Sequence, residues 1–163
     1  MSLCIRSSAV SLRRSLSVAG LVVASLALAR FAPAADISAI DPCQLVTKPE
    51  AQAALGAAVA SEVSPPARVN KDAVRICSIQ GTNGKALTVY VGSKTKDGFD
   101  REKKGHTAVT GIGDDAYANP PSIVALRKGD IVVTLSMTLN GTPDDSASLE
   151  KVKTLARAAA GRI

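Results

Sequence analysis

The N-terminal segment constrains this chain most, because it decides how much of the sequence is left to fold. Three arginines precede an uncharged apolar run at residues 16–29, and the small residues Ala32 and Ala34 follow it. This order is typical of a secretory signal peptide cleaved after Ala34. A membrane-spanning helix needs about 20 apolar residues, and the run is shorter, so an uncleaved anchor is the weaker alternative. We therefore expect a signal peptide at residues 1–34 and a single exported domain at residues 35–163.

Cleavage at this position changes the charge of the chain. The full sequence has 20 Lys and Arg against 14 Asp and Glu, a net charge of +6. Four of the arginines precede the cleavage site, so the mature chain keeps 16 basic against 14 acidic residues and a net charge of +2. Nucleic-acid binding needs a clustered basic face with aromatic side chains, and the mature aromatics are only Tyr90, Phe99 and Tyr117. We expect no nucleic-acid partner.

The cysteines indicate a cross-link. Cys4 lies within the signal, which leaves Cys43 and Cys77 in the mature chain. An even cysteine count in an exported domain is typical of a disulfide, and closing this loop would contribute roughly 3–4 kcal/mol to stability. A reactive Cys43 is the alternative, since thiols at helix N-termini ionise more easily. Two cysteines and one histidine do not complete a four-ligand metal site, so we expect no metal.

Helix signals lie at both ends of the mature chain. Thr47 and Glu50 have the spacing of a capping box, and Gly56 is a typical helix stop. Near the C-terminus, Thr142 and Pro143 are expected to begin a second helix. The apolar stripe of that helix consists of Leu149, Val152, Leu155, Ala156 and Ala159.

The middle of the chain has strand patterns. One hairpin is expected to turn at Asn83–Gly84, and a second at Lys128–Gly129. Between them, the charged residues 94–106 are interpreted as a linker or a short helix, and residues 107–118 as two strands around a glycine-rich turn. Helices at the ends and strands between them predict an α+β fold, with a mainly antiparallel sheet and the N-terminal and C-terminal helices packed on one face.

The motif GIGDDAY and the single histidine are the candidates for chemistry. Asp114 and Asp115 could bind a hard cation or act as a general base, and His106 could join them in a catalytic site. Against this, Gly111 and Gly113 indicate a turn, where aspartates make local hydrogen bonds. No G-x-S-x-G nucleophile motif is present. We therefore assign no catalytic, cofactor or metal residue, and retain the two aspartates and the histidine as an alternative polar site.

Several short motifs occur in a distinctive order: DPCQLVT at residues 41–47, a cysteine in RICSI, GIGDDAY, VALRKGDIVVTLS and a final helix rich in Leu and Ala. The chain thereby resembles a family of uncharacterised exported domains, best known from actinobacterial cell-envelope lipoproteins, with the patterns D-P-C-x-L-[LV]-T and G-[LI]-G-D. The resemblance implies a secreted or envelope-attached α+β domain in which Cys43 and Cys77 are paired. It supplies no catalytic residue. Because a lipoprotein cysteine is absent after the apolar run, we expect a soluble periplasmic or secreted form.

The expected function is that of a non-catalytic exported domain that binds a protein or a component of the cell envelope, without a cofactor. This hypothesis rests on the lack of a coherent set of catalytic residues in the sequence. The competing hypothesis is a small extracytoplasmic hydrolase or acid/base enzyme that uses Asp114 or Asp115 with His106. Convergence of these groups in one pocket would favour the enzyme.

Overall fold

The computed structural model describes residues 36–64 and 74–163, so the signal peptide expected at residues 1–34 lies outside the described residues. In chain order the elements are α1 (Lys48–Leu55), β1 (Val59–Val63), β2 (Arg75–Gly81), β3 (Lys85–Ser93), α2 (Lys96–Lys103), β4 (Thr107–Ala108), β5 (Asp115–Asn119), β6 (Ile123–Lys128), β7 (Ile131–Leu139), β8 (Thr142–Pro143) and α3 (Ala147–Ala160). None of the helices in the described ranges has both the length and the apolar character needed to cross a membrane.

Helix α1 begins and ends where the sequence predicts. The Thr47 backbone N–H donates to the Glu50 carboxylate at 2.8 Å, and the two residues form the capping box. Gly56 ends the helix in the left-handed conformation, with φ of 70°, and its N–H donates to the Gln52 carbonyl at 2.9 Å. Glycine adopts this conformation without the steric cost that other residues meet.

The strands form one antiparallel sheet in the order β1-β2-β3-β7-β6-β5-β4, with β8 paired to the end of β7. Both predicted hairpins are present, β2 with β3 and β6 with β7. Their turns contain Gly84 and Gly129, whose φ angles are 80° and 61°. The predicted glycine positions therefore fix the two hairpin registers.

One face of the sheet is aliphatic and covered by α1 and α3. Successive strand residues point to opposite faces, so alternate positions of the three central strands enter the core: Cys77 and Ile79 on β2, Leu87, Val89 and Val91 on β3, and Val133, Leu135 and Met137 on β7. Helix α3 contacts β6 and β7, and α1 contacts β2, β3 and α3. The predicted α+β architecture, with both terminal helices on one face, is confirmed.

The predicted disulfide joins the start of the domain to the sheet. Asp41 caps a short 3-10 turn, Pro42–Gln44, by accepting a hydrogen bond from the Cys43 N–H at 3.0 Å. Cys43 in this turn bonds to Cys77 on β2, with the sulfurs 2.07 Å apart. The Arg75 guanidinium also donates to the Ser38 carbonyl at 2.6 Å. These contacts attach the segment before α1 to the sheet.

Two segments differ from the sequence prediction. Thr142 and Pro143 do not begin the last helix; they form β8, and α3 starts at Ala147. Asp145, just before the N-cap residue Ser146, accepts a hydrogen bond from the Ser148 N–H in the first turn of α3, at 3.0 Å. Strand β1, Val59–Val63, has no counterpart in the sequence prediction because four of its five residues are exposed and show no apolar alternation.

Candidate functional site

The sheet surface opposite α1 and α3 differs in chemistry from the covered one. It carries a row of hydroxyl groups across neighbouring strands, because Ser78 pairs with Thr88 and Thr88 pairs with Ser136. In the next row, Tyr90 pairs with Thr134. We call this surface the hydroxyl face; its defining residues are Ser78, Thr88, Tyr90, Thr134 and Ser136. Helix α2 packs on one end of the hydroxyl face, where buried Phe99 lies against Tyr117 with ring centroids 5.3 Å apart.

A groove of about 310 Å³ opens on the hydroxyl face beside α2. We call it the Tyr90 groove. Two adjacent rows of the sheet form its floor, in which Tyr90 pairs with Thr134 and Gly92 pairs with Val132. Tyr90 is 38% exposed, whereas the rings of Phe99 and Tyr117 are buried. The groove is lined by Val74, Tyr90, Gly92, Ser93, Lys94, Glu102, Val132 and Thr134.

Gly92 gives the Tyr90 groove its depth. A Cβ added to Gly92 would meet only the Val74 Cγ2, at 3.9 Å, and otherwise open space. The φ of Gly92 lies outside the left-handed range, so the backbone does not require glycine here. Glycine inside a strand weakens it and often marks a place where a ligand approaches closely. The absence of a side chain at Gly92 therefore leaves a recess in the sheet surface.

Opposite charges lie together at the rim of the groove. The Lys94 ammonium is hydrogen-bonded to the Glu102 carboxylate of α2. The Lys94 N–H donates to the Asp130 carbonyl at 2.8 Å, which fixes the chain between β3 and α2. Both side chains of the pair keep substantial exposure, 34% for Lys94 and 48% for Glu102. The rim thus offers hydrogen-bond donors and acceptors without a net charge.

Asp114 and Asp115 are occupied by separate structural contacts. The Asp114 carboxylate accepts from the Gly129 N–H at 2.8 Å and so holds the glycine-rich turn against the β6–β7 turn. The Asp115 carboxylate accepts from the Lys103 ammonium at 2.6 Å, which ties β5 to α2. The φ of Gly113 is 59°. This matches the turn that the sequence indicates for GIGDDAY.

His106 lies on the surface and does not complete a site with the aspartates. Its ring stacks on Tyr117, with centroids 5.0 Å apart and an interplanar angle of 10°. Within the described parts of the chain, no hydrogen bond or ion pair joins His106 to Asp114 or Asp115. None of the three residues lines the Tyr90 groove. A second groove of about 220 Å³, between α1 and α3, does not contain them either.

The disulfide has one carboxylate neighbour. The Glu62 carboxylate of β1 and the sulfurs of Cys43 and Cys77 all lie within 4.8 Å of one another. A thiolate, not a disulfide sulfur, is the form of cysteine that binds metals. With the two sulfurs bonded to each other, this group offers a metal one carboxylate ligand and no thiolate.

A partly buried ion pair lies at the start of α3 and has no counterpart in the sequence prediction. The Asp144 carboxylate accepts from the Lys85 ammonium at 2.7 Å and from the Ser148 hydroxyl at 2.6 Å. Burial acts to raise the pKa of Asp144, but the hydrogen bonds from Lys85 and Ser148 outweigh it and lower the pKa to about 2. Ser148 is only 1% exposed, so its hydroxyl is out of reach of a substrate. The group links β3 to α3.

Neither Tyr90 nor Gly92 was a site candidate in the sequence. The segment KALTVYVGS shows a strand with one apolar face, and its only unusual feature is a glycine near the end. A glycine that interrupts the outward-facing positions of a strand is the signal that could have identified the groove. The partner residue Glu102 lies on a separate helix, and its approach to Lys94 depends on how α2 packs.

Comparison with known proteins gives no relative. No protein-family model, no curated protein and no solved structure matches the chain. The geometry of the described residues is therefore the basis for a functional hypothesis.

Proposed function

We propose that this protein is a non-catalytic exported domain that binds a component of the cell envelope through the Tyr90 groove. The observation that carries the proposal is the recess over Gly92, beside the exposed Tyr90 ring and the Lys94–Glu102 pair. A concave site with apolar surface and a few converging polar groups is the usual form of a ligand site. The volume of about 310 Å³ is at the small end of such sites.

Export to the periplasm or the medium is part of the same proposal. The N-terminal pattern of residues 1–34 is that of a signal peptide. The Cys43–Cys77 bond fits an oxidising compartment, where structural disulfides persist. The resemblance to envelope lipoprotein domains points to the same location.

The enzyme alternative has less support. It requires His106 and an aspartate to meet around a substrate. Instead, Asp115 is paired with Lys103, Asp114 holds a turn, and the His106 ring is stacked on Tyr117. Each residue has a structural contact that accounts for its place in the fold.

The test is co-sedimentation of the purified protein with an envelope fraction from the cell that exports it. A Cβ at Gly92 would make only an ordinary contact, with the Val74 Cγ2 at 3.9 Å. Gly92→Val should occupy the recess and weaken binding by roughly tenfold or more, equivalent to at least about 1.4 kcal/mol. Thr88→Val is the matched control, because Thr88 lies on the hydroxyl face but outside the groove. It should bind like the wild type. Equal binding by wild type and Gly92→Val, or no binding by the wild type, would overturn the proposal.

A further inference from the structure

The shape of the Tyr90 groove limits the size of its ligand. Its floor is only two residue rows deep along the sheet, and its volume is about 310 Å³. Sites for drug-sized ligands range from about 300 to 1,000 Å³. The groove therefore accommodates one or two rings of a larger chain, with the remainder of that chain outside the groove.

The floor of the groove is partly apolar. Tyr90 lines the groove and is 38% exposed, and Val132 lies on the neighbouring strand opposite Gly92. The face of an aromatic ring is electron-rich and favours contact with weakly positive hydrogens, such as the C–H groups of a ligand. A ligand that fits this floor has a flat side made of C–H groups.

The rim and walls are polar and electrically balanced. The Lys94 ammonium donates hydrogen bonds and the Glu102 carboxylate accepts them, while the Thr134 hydroxyl does both. Because the two charges are paired, the rim attracts neither an anion nor a cation by net charge. A donor next to an acceptor matches neighbouring hydroxyl groups, since each hydroxyl also donates and accepts.

We infer that the ligand of the Tyr90 groove is a neutral saccharide unit of an envelope glycan. This inference rests on the proposed function and names its ligand class. A pyranose ring has the required combination, with C–H groups on one side and hydroxyl groups around its edge. It would lie over Gly92 with its C–H side against Tyr90 and its hydroxyls at Lys94 and Glu102. A hydrocarbon chain would leave the paired charges of the rim desolvated without hydrogen bonds, which is unfavourable.

The experiment treats one envelope fraction in three ways before co-sedimentation with the wild-type protein and Gly92→Val. One portion is untreated, one is oxidised with periodate, which cleaves the bond between carbons bearing adjacent hydroxyls, and one is digested with protease. We expect binding to the untreated and protease-treated portions, loss of most binding after periodate, and weak binding of Gly92→Val throughout. Titration with the neutral sugars glucose and cellobiose should shift the amide NMR signals of Gly92 and Val132, and unchanged signals with both sugars would count against the saccharide inference.

The two hypotheses fail in different ways. Binding that is sensitive to Gly92→Val but survives periodate and is lost after protease would overturn the saccharide inference, and would identify a protein ligand for the proposed site. Binding of Gly92→Val equal to that of the wild type in the untreated portion would overturn the proposed function and the inference together. Tyr90→Phe keeps the aromatic ring and should retain most of the binding, whereas Tyr90→Leu should lose it. Equal binding by these two variants would contradict the stacking role of the ring.

Discussion

The two faces of the sheet are built from the same strands but have different chemistry. On β7, Val133, Leu135 and Met137 are completely buried under the helices, while Thr134 and Ser136 between them are half-buried on the hydroxyl face. The covered face also holds the disulfide sulfur of Cys77. The hydroxyl face has a groove where the covered face has packed side chains.

We expect the covered face to supply most of the stability of the fold and the hydroxyl face to supply the binding surface. Burial of aliphatic side chains stabilises the fold by about 25 cal/mol per Å² of apolar area, and that burial is concentrated between the sheet and the helices α1 and α3. The hydroxyl face contributes less to folding, so its residues are freer to serve recognition. Variants that exchange or remove side chains on the two faces test this separation directly.

The largest difference between the faces should appear at adjacent positions of β7. Leu135→Ala removes a fully buried side chain and should lower the free energy of unfolding by about 2–5 kcal/mol. Thr134→Ala, one residue away on the hydroxyl face, should cost less than about 1 kcal/mol. Urea denaturation of both variants measures the difference. Equal losses would show that the two faces contribute alike to stability.

Removal of the disulfide tests the covered face in a second way. Cys43 and Cys77 are separated by 34 positions, and the double variant Cys43→Ala/Cys77→Ala should lose roughly 3–4 kcal/mol in the chain-entropy account. The effect arises because the cross-link restricts the unfolded chain. Thiol titration of the denatured wild-type protein, without reductant, should find no free thiol from this pair. Two reactive thiols would refute the cross-link.

The Asp144 ion pair should make stability depend on pH at the acid end. The pKa of Asp144 is lowered from 3.8 to about 2 in the folded protein. The unfolded chain therefore binds the proton more tightly, and the stabilising effect is complete above pH 3.8 and lost as the pH falls from 3.8 towards about 2. Asp144→Asn should cost roughly 1.5–3 kcal/mol at neutral pH, as expected for hydrogen bonds to a charged group.

Denaturation curves from pH 7 to pH 2 provide the measurement. The free energy of unfolding of Asp144→Asn should fall less than that of the wild type as the pH decreases from 3.8 towards about 2. Glu150→Gln is the matched control, because the Glu150 side chain is 74% exposed and its ion pair with Lys153 lies on the surface of α3. Exposed pairs contribute little, so the control should follow the wild-type profile. The same smaller fall in the control would contradict the role of Asp144.

The covered face was predictable from the sequence, and the groove was not. The capping box of Thr47 and Glu50, the turn glycines and the alternation of β7 are local patterns, and each appears in the fold as expected. The helix start at Thr142 was misplaced because Pro143 suits both a first helical turn and an edge strand. The Lys94–Glu102 and Lys85–Asp144 pairs join distant elements. Such ion pairs depend on how the elements pack together, and no local sequence pattern predicts that packing.

The smallest stability effect is expected in the groove itself. A Cβ at Gly92 would make only an ordinary van der Waals contact, with Val74 at 3.9 Å, and valine favours strands. The free energy of unfolding of Gly92→Val should therefore stay within about 1 kcal/mol of wild type. Gly113→Ala provides the contrast, since its Cβ would lie 2.5 Å from the Arg127 carbonyl oxygen at a φ of 59°. That variant should be clearly destabilised. Thermal unfolding of both variants makes the comparison, and severe destabilisation by Gly92→Val would show that the recess has a folding role.

Tyrosine nitration tests most directly whether the hydroxyl face is the binding surface. The chain has 2 tyrosines. Tyr90 is 38% exposed, whereas Tyr117 is 9% exposed and its pKa is raised by burial and by the nearby Glu102 carboxylate. Tetranitromethane reacts with the accessible phenolate form, so the free protein should be nitrated at Tyr90 far faster than at Tyr117. Saturating envelope fraction should slow nitration of Tyr90 several-fold. Unchanged nitration of Tyr90 in the sedimented complex would contradict binding through this face.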